Sequence, residues 1–369
     1  MDPKGSPLNS KGNHDKALDI YKKSLAIAEE LGDRSSTGHT LRNIGGIYYN
    51  KGDFDKSLNY TYRGLEILED LSDKQGMGNS LHSIGTIYTD KCDFDKGLEY
   101  YERSLAIFED IDNNQGIGYT LLGIGMIYFN KDDYDKALDY YKRSVTIIEK
   151  IDDQYGIRLS INNIGNLYDR KGNYDKALHY YEKSLAIAEE IGDKKGIWFT
   201  LKNIGLLHAN KNENEKAEEY LEESLRIQKE IGYEDKYIIL ETTTYLYLTY
   251  KKLGKTYDEK RIHILMKDIK DIEYKNNFQL YQLLEDKTYL ETAYNTLRNK
   301  IDSLKSDVGT KLISYPIPKA IIEEYNKVFK WKKQDFISIS PSVRLNASTV
   351  IFILLQKKKT KSLYLQSVF

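Results

Sequence analysis

A block of 22 residues recurs six times along this chain of 369 residues, always 40 residues after its last appearance. GNHDKALDIYKKSLAIAEELGD begins at Gly12 and GDFDKSLNYTYRGLEILEDLSD at Gly52. Further copies start at Cys92, Asp132, Gly172 and Asn212, with no insertion or deletion among them. A fixed period of this length means stacked supersecondary units, each burying its apolar face only against its neighbours. It also explains many of the 32 tyrosines, which recur at matching positions such as Tyr101, Tyr141 and Tyr181.

Each unit reads as two helices. In the stretch Asp175 to Ile191 the residues Ala177, Leu178, Tyr181, Leu185 and Ile187 fall near helical spacing. Asn13, Asp53, Asp93, Asp133 and Asn173 stand at the expected N-cap, with an acid two residues on, where the helix dipole favours it. The other helix is the stretch like Thr200 to Asn210, whose Asn-Ile-Gly admits a close neighbour. Gly-Asp and Asp-Asp mark the turns between them, and Gly76-Met-Gly78 and Gly116-Ile-Gly118 read as turns too.

Ile44-Gly45-x-x-Tyr48, Ile84-Gly85-x-x-Tyr88, Ile124-Gly125-x-x-Tyr128 and Ile164-Gly165-x-x-Tyr168 resemble the Leu-Gly-x-x-Tyr of tetratricopeptide repeats. Each precedes a turn and a run such as Ala137-x-x-x-Tyr141-x-x-Ser144. The 40-residue form is similar to that of the Leu-Gly-Asn-rich G-protein modulators, kinesin light chain and arrays that accompany bacterial signalling enzymes. The resemblance implies an all-α fold, a right-handed solenoid of antiparallel helix pairs. It covers residues 12–273, as one orphan second-type helix, five regular pairs and a degenerate pair around Gly254 and Tyr257. Thr61 and Gly64 depart from the pattern, as does His208 in a tyrosine's place, which predicts looser packing in those units. Residues 274–330 are expected to form a helical cap, with Pro316-x-Pro318 opening one helix. Residues 1–11 read as disordered or non-native. Residues 331–369, with seven basic residues against one acid, read as a poorly ordered basic tail.

Chemistry is thinly represented. Basic and acidic residues balance at 55 to 56, so no global field would recruit nucleic acid. Mean hydropathy is -0.61 and the longest apolar run, Val350–Leu355, is too short for a membrane span. The single cysteine, Cys92, excludes a disulfide framework and fits a reducing, cytoplasmic setting. Six scattered histidines show no metal-ligand spacing, and neither GxSxG nor a complete phosphate loop is present. No catalytic residue, metal or cofactor is expected.

Function then falls to the concave face, which the resemblance assigns to the first helix of each pair. Carried over unit by unit, that gives Arg42, Tyr49, Asn79, His82, Tyr119, Leu122, Met126, Phe129, Asn162, Asn166, Arg170, Phe199 and Lys202. These positions vary while the scaffold repeats, as selective recognition requires. Tyr119, Leu122, Met126 and Phe129 are expected to form one exposed apolar floor, flanked by Asn162, Asn166 and Arg170 to hold a peptide backbone or an acidic group. The expected role is a non-catalytic scaffold or adaptor for a protein or peptide segment, with no nucleic acid and no membrane span. The alternatives are a regulatory fragment of a nucleotide cyclase or kinase, or a peptide-sensing regulator with a deep closed groove and charged clamps.

Overall fold

The computed structural model describes residues 11–233, 235–267, 269, 272–304 and 306–329, all of whose regular structure is helical. The basic tail and residues 1–10 lie outside them. The orphan helix is α1 (Lys11–Glu30). Five pairs follow: α2 (Arg34–Asn50) with α3 (Phe54–Asp70), α4 (Lys74–Asp90) with α5 (Phe94–Asp110), α6 (Asn114–Asn130) with α7 (Tyr134–Glu149), α8 (Gln154–Arg170) with α9 (Tyr174–Glu190), and α10 (Lys194–Asn210) with α11 (Asn214–Glu230). The chain continues through α12 (Lys236–Lys252), α13 (Glu259–Met266), α14 (Tyr274–Leu284), α15 (Lys287–Ser303), α16 (Ser306–Ser314) and α17 (Pro316–Val328).

The second-type helices start where capping chemistry puts them. Asp53, Asp93, Asp133 and Asn173 accept a hydrogen bond from the backbone N–H three residues on, satisfying one orphan donor each. The first-type helices begin earlier than the sequence reading placed them. Asp73, Asn113 and Asp193 cap α4, α6 and α10, so Gly76-Met-Gly78 and Gly116-Ile-Gly118 are helical rather than turns. Proximity explains those glycines. A Cβ on Gly116 would lie 2.4 Å from the Phe108 ring, and one on Gly118 2.3 Å from Ile148. The true turns use a single left-handed residue, such as Gly52 at φ 74° or Asp132 at φ 56°.

Packing within a pair is copied from unit to unit. The rings of Tyr101, Tyr141 and Tyr181 lie flat against Gly85, Gly125 and Gly165, where a Cβ would come within 2.6–2.8 Å. Ser104, Ser144, Ser184 and Ser224 are fully buried and donate to the carbonyls of Gly78, Gly118, Arg158 and Trp198. Tyr48, Tyr88, Tyr128 and Tyr168 stack on Tyr60, Tyr100, Tyr140 and Tyr180 at 5.4–5.6 Å. The loosening expected at Thr61, Gly64 and His208 does not occur. Thr61 is fully buried, a Cβ on Gly64 would lie 2.7 Å from the Gly38 carbonyl oxygen, and His208 stacks on Tyr220 at 5.5 Å. A smaller side chain lets the helices approach, and an imidazole serves as the flat ring.

The C-terminal helices then return to the middle of the array. They share a core of Phe278, Leu290, Ala293, Leu297, Leu312 and Ile321. Tyr315 packs at a tilt on Tyr134, ring centroids 5.0 Å apart, and Lys300 and Lys311 pair with Asp132 and Asp135, each at 2.8 Å. Pro316 sits over Gly172, where a Cβ would lie 2.6 Å from its ring.

Candidate functional site: a charged cavity on the concave side

This return leaves a cavity of about 370 Å³ between α8, α10, α12 and the start of α14. Its apolar wall is Phe129, Phe199, Leu206 and Ile238. Its floor is ionic. The Glu241 carboxylate lies between Lys202 Nζ at 2.9 Å and Lys275 Nζ at 3.1 Å, all three side chains nearly buried. Burial would push the Glu241 carboxyl up, but the two ammonium groups hold it well below the usual carboxylate range. Burial would likewise lower Lys275, yet Glu241 carries it above an ordinary lysine. Asp169 differs, since burial raises its carboxyl against the pull of Lys275 and Arg170, and its Oδ1 makes no hydrogen bond. Arg170 lies near Glu273, at 3.8 Å, with its guanidinium 5.9 Å over the Phe129 ring.

An amide network flanks the ions. Tyr181 Oη donates to Asn166 Oδ1 at 2.8 Å, and Asn203 Nδ2 donates to the same oxygen at 3.0 Å. Asn162 is buried behind it, accepting weakly from Thr200 and Asn203. Asp169, Arg170 and Lys275 also line the contact between the array and the Pro316–Pro318 segment. Three charged residues of the cavity thus also seat the C-terminal helices.

Of the residues anticipated from sequence, Phe129, Asn166, Arg170, Phe199 and Lys202 meet in this cavity. The exposed apolar floor does not form. Leu122 is 6% exposed, packed with Tyr134, Tyr141 and Ile164, because its position faces the next second-type helix rather than the groove. Tyr119 is half-buried and donates to Asp153 at 2.9 Å, while Met126 alone is exposed. Further along, Tyr49 donates to Asp90 at 2.5 Å, Arg42 to Asn43 at 3.1 Å, and Asn79 is half-buried. His82 packs on Tyr101 beside Thr120, and burial pushes its pKa down to about 4. None of these reaches the cavity. Glu241, Glu273 and Lys275 were missed, since they come from outside the regular units and carry no repeat signature.

Stacked antiparallel helix pairs of this kind define an α-solenoid. The tetratricopeptide repeat model matches residues 7–70, 76–150 and 156–230, and the chain belongs to that family. Similar solved structures include a Rap protein complexed with competence and sporulation factor, 14% identical over 88% of each chain with a TM-score of 0.56. Aspartyl phosphate phosphatase F from Bacillus subtilis is 13% identical over 86% of this chain and 75% of its own, with a TM-score of 0.55. The apo quorum sensor NprR from B. thuringiensis is 16% identical over 86% of this chain and 82% of its own, at 0.51. These likenesses concern the fold. No curated protein matches the chain. Among the described residues no helix is long and apolar enough to cross a membrane.

Proposed function

We propose that the chain is a non-catalytic, cytoplasmic regulator that holds an extended peptide segment in this cavity. The observation that carries the reading is the combination of apolar wall, ionic floor and amide rim in one space bounded on its C-terminal side by Glu273 and Lys275. A peptide needs apolar anchorage for some side chains and paired donors and acceptors for its backbone, and Phe199, Asn166 and Asn203 are placed to give both. The similar folds of a Rap protein complexed with competence and sporulation factor and of a quorum sensor support a peptide sensor over a passive scaffold.

The test is to pan a displayed peptide library against the chain, with Lys202→Glu as counter-selection. Selected peptides should bind the parent and lose at least tenfold, about 1.4 kcal/mol, on Phe199→Ala. Peptides that bind parent and both variants equally would refute the cavity as the site.

A further inference from the structure

One cation of the cavity is left without a hydrogen bond. Arg170 ends α8 and lines the space beside Phe129 and Asn166. Its ion partner, Glu273, stands at 3.8 Å, too far for a hydrogen bond, and among the described residues the guanidinium donates to no other group. A guanidinium carries five N–H donors in a planar fork that matches a carboxylate. The two lysines of the cavity, by contrast, are both committed to Glu241, at 2.9 and 3.1 Å.

Charge on the floor does not balance either. The side chains of Lys202, Glu241 and Lys275 are 7%, 12% and 9% exposed, and together they leave one positive charge over. A buried excess of charge is costly unless an opposite charge answers it. The anions at hand answer it poorly. Burial raises the Asp169 carboxyl, and its Oδ1 makes no hydrogen bond. Asp235 is exposed and caps α12, accepting from the N–H groups of Tyr237 and Ile238. Asp132 also acts on Arg170 but is taken by Lys300 at 2.8 Å. Glu273 remains, its side chain 59% exposed, and an ion pair so open to water is weak. Resting on the peptide reading above, we propose that the cavity selects a segment bearing a carboxylate, which docks on the Arg170 guanidinium in place of Glu273. An acidic side chain or the C-terminus of the segment can supply that group. One uncompensated charge and one open fork suit a monoanion, whereas the second charge of a phosphate would find both lysines already held by Glu241. Apolar anchorage lies alongside, since the guanidinium stands 5.9 Å over the Phe129 ring and Lys202 Nζ 4.6 Å over that of Phe199.

The probes are peptides selected on the full chain from a library displayed with free C-termini. Each is synthesised as selected, with every Asp and Glu replaced by Asn and Gln, and with its C-terminus amidated. At least one replacement should weaken binding tenfold or more, and which one does so names the source of the carboxylate. Arg170→Gln should bind the carboxylate and neutral forms alike, with Arg170→Lys falling between it and the parent. Glu273→Gln should tighten the carboxylate form at least threefold and leave the neutral form unchanged, a gain that damage to the fold cannot produce. Peptides that require Phe199 yet bind as well without carboxylates, or that Glu273→Gln fails to tighten, would overturn the carboxylate subsite and leave the peptide reading standing. A library that yields no peptide dependent on Phe199 would overturn both.

Discussion

The regular units and the C-terminal helices solve the same packing problem by different means. Between α4 and α9 one solution is copied: tyrosine on glycine, serine on carbonyl, tyrosine on tyrosine. Lysine–aspartate rungs join successive units, as in Lys91–Asp55 and Lys131–Asp95 at 2.8 Å. From α14 onward every contact occurs once, as in the Tyr294–Tyr325 stack at 4.0 Å and the Lys300–Asp132 pair. A copied interface couples only neighbours, so damage stays local. A single-use interface that joins distant parts controls how the whole molecule closes.

The sharpest break in this comparison is Tyr141→Ala, which empties the centre of one copied interface and should cost about 3–5 kcal/mol. Loss of amide protection should centre on α6 to α8, and uniform loss along the chain would argue against local coupling. Gly165→Leu forces a side chain into the Tyr181 ring and should cost about 1–3 kcal/mol, with the same local pattern. On the other side of the comparison, Lys300→Met leaves the nearly buried Asp132 without its ammonium, at about 1–2 kcal/mol. Its signature should be non-local, with faster exchange in α16 and α17 and weaker peptide binding, while α4 and α5 stay protected.

A pH difference separates the regions further. The folded His82 ring titrates near 4, below the ordinary value of about 6.5, so the folded chain favours its neutral form. That contribution is complete above pH 6.5 and lost as pH falls towards 4. His82→Phe should therefore flatten the fall in melting temperature over that window, and an unchanged fall would remove His82 as a cause. The smallest effect expected is Lys131→Ala. One exposed rung is worth about 0.5 kcal/mol or less, and a larger loss on calorimetry would mean the rungs act as a network.

The same contrast governs what could be read from sequence. The helix pairs were legible because the second-type block occurs six times and the Gly of the first-type helix, from Gly45 to Gly205, five times. The starts of α4 and α6 were not, because Gly-x-Gly looks like a breaker until the ring of Phe108 and the side chain of Ile148 are seen against it. Leu122 was assigned to the groove, although its helix position turns it into the core. Phe129, Asn166, Arg170, Phe199 and Lys202 could be set on one side of the array in advance because positions along the first-type helices are periodic, and the five share one cavity. Their partners Glu241, Glu273 and Lys275 were not, because no periodicity reaches them. One local clue existed. Asp132 stands where Gly52 and Gly172 occupy the left-handed turn, and a carboxylate there accepts from Tyr134 as well as pairing with Lys300.

The rung between Lys171 and Asp135 has an extra member, because Lys311 reaches the same carboxylate from 176 residues away. That contact turns a linear stack into a clasped one, with mechanical consequences. A plain solenoid pulled by its ends peels unit by unit, each step releasing one repeat. Here the load runs first through the clasp at Asp132, Tyr134 and Asp135, and the units between it and α16 stay shielded from tension until it opens. In an optical trap the units from α8 to α15 should release only after one abrupt yield, whereas the units ahead of the clasp fray in short, even steps.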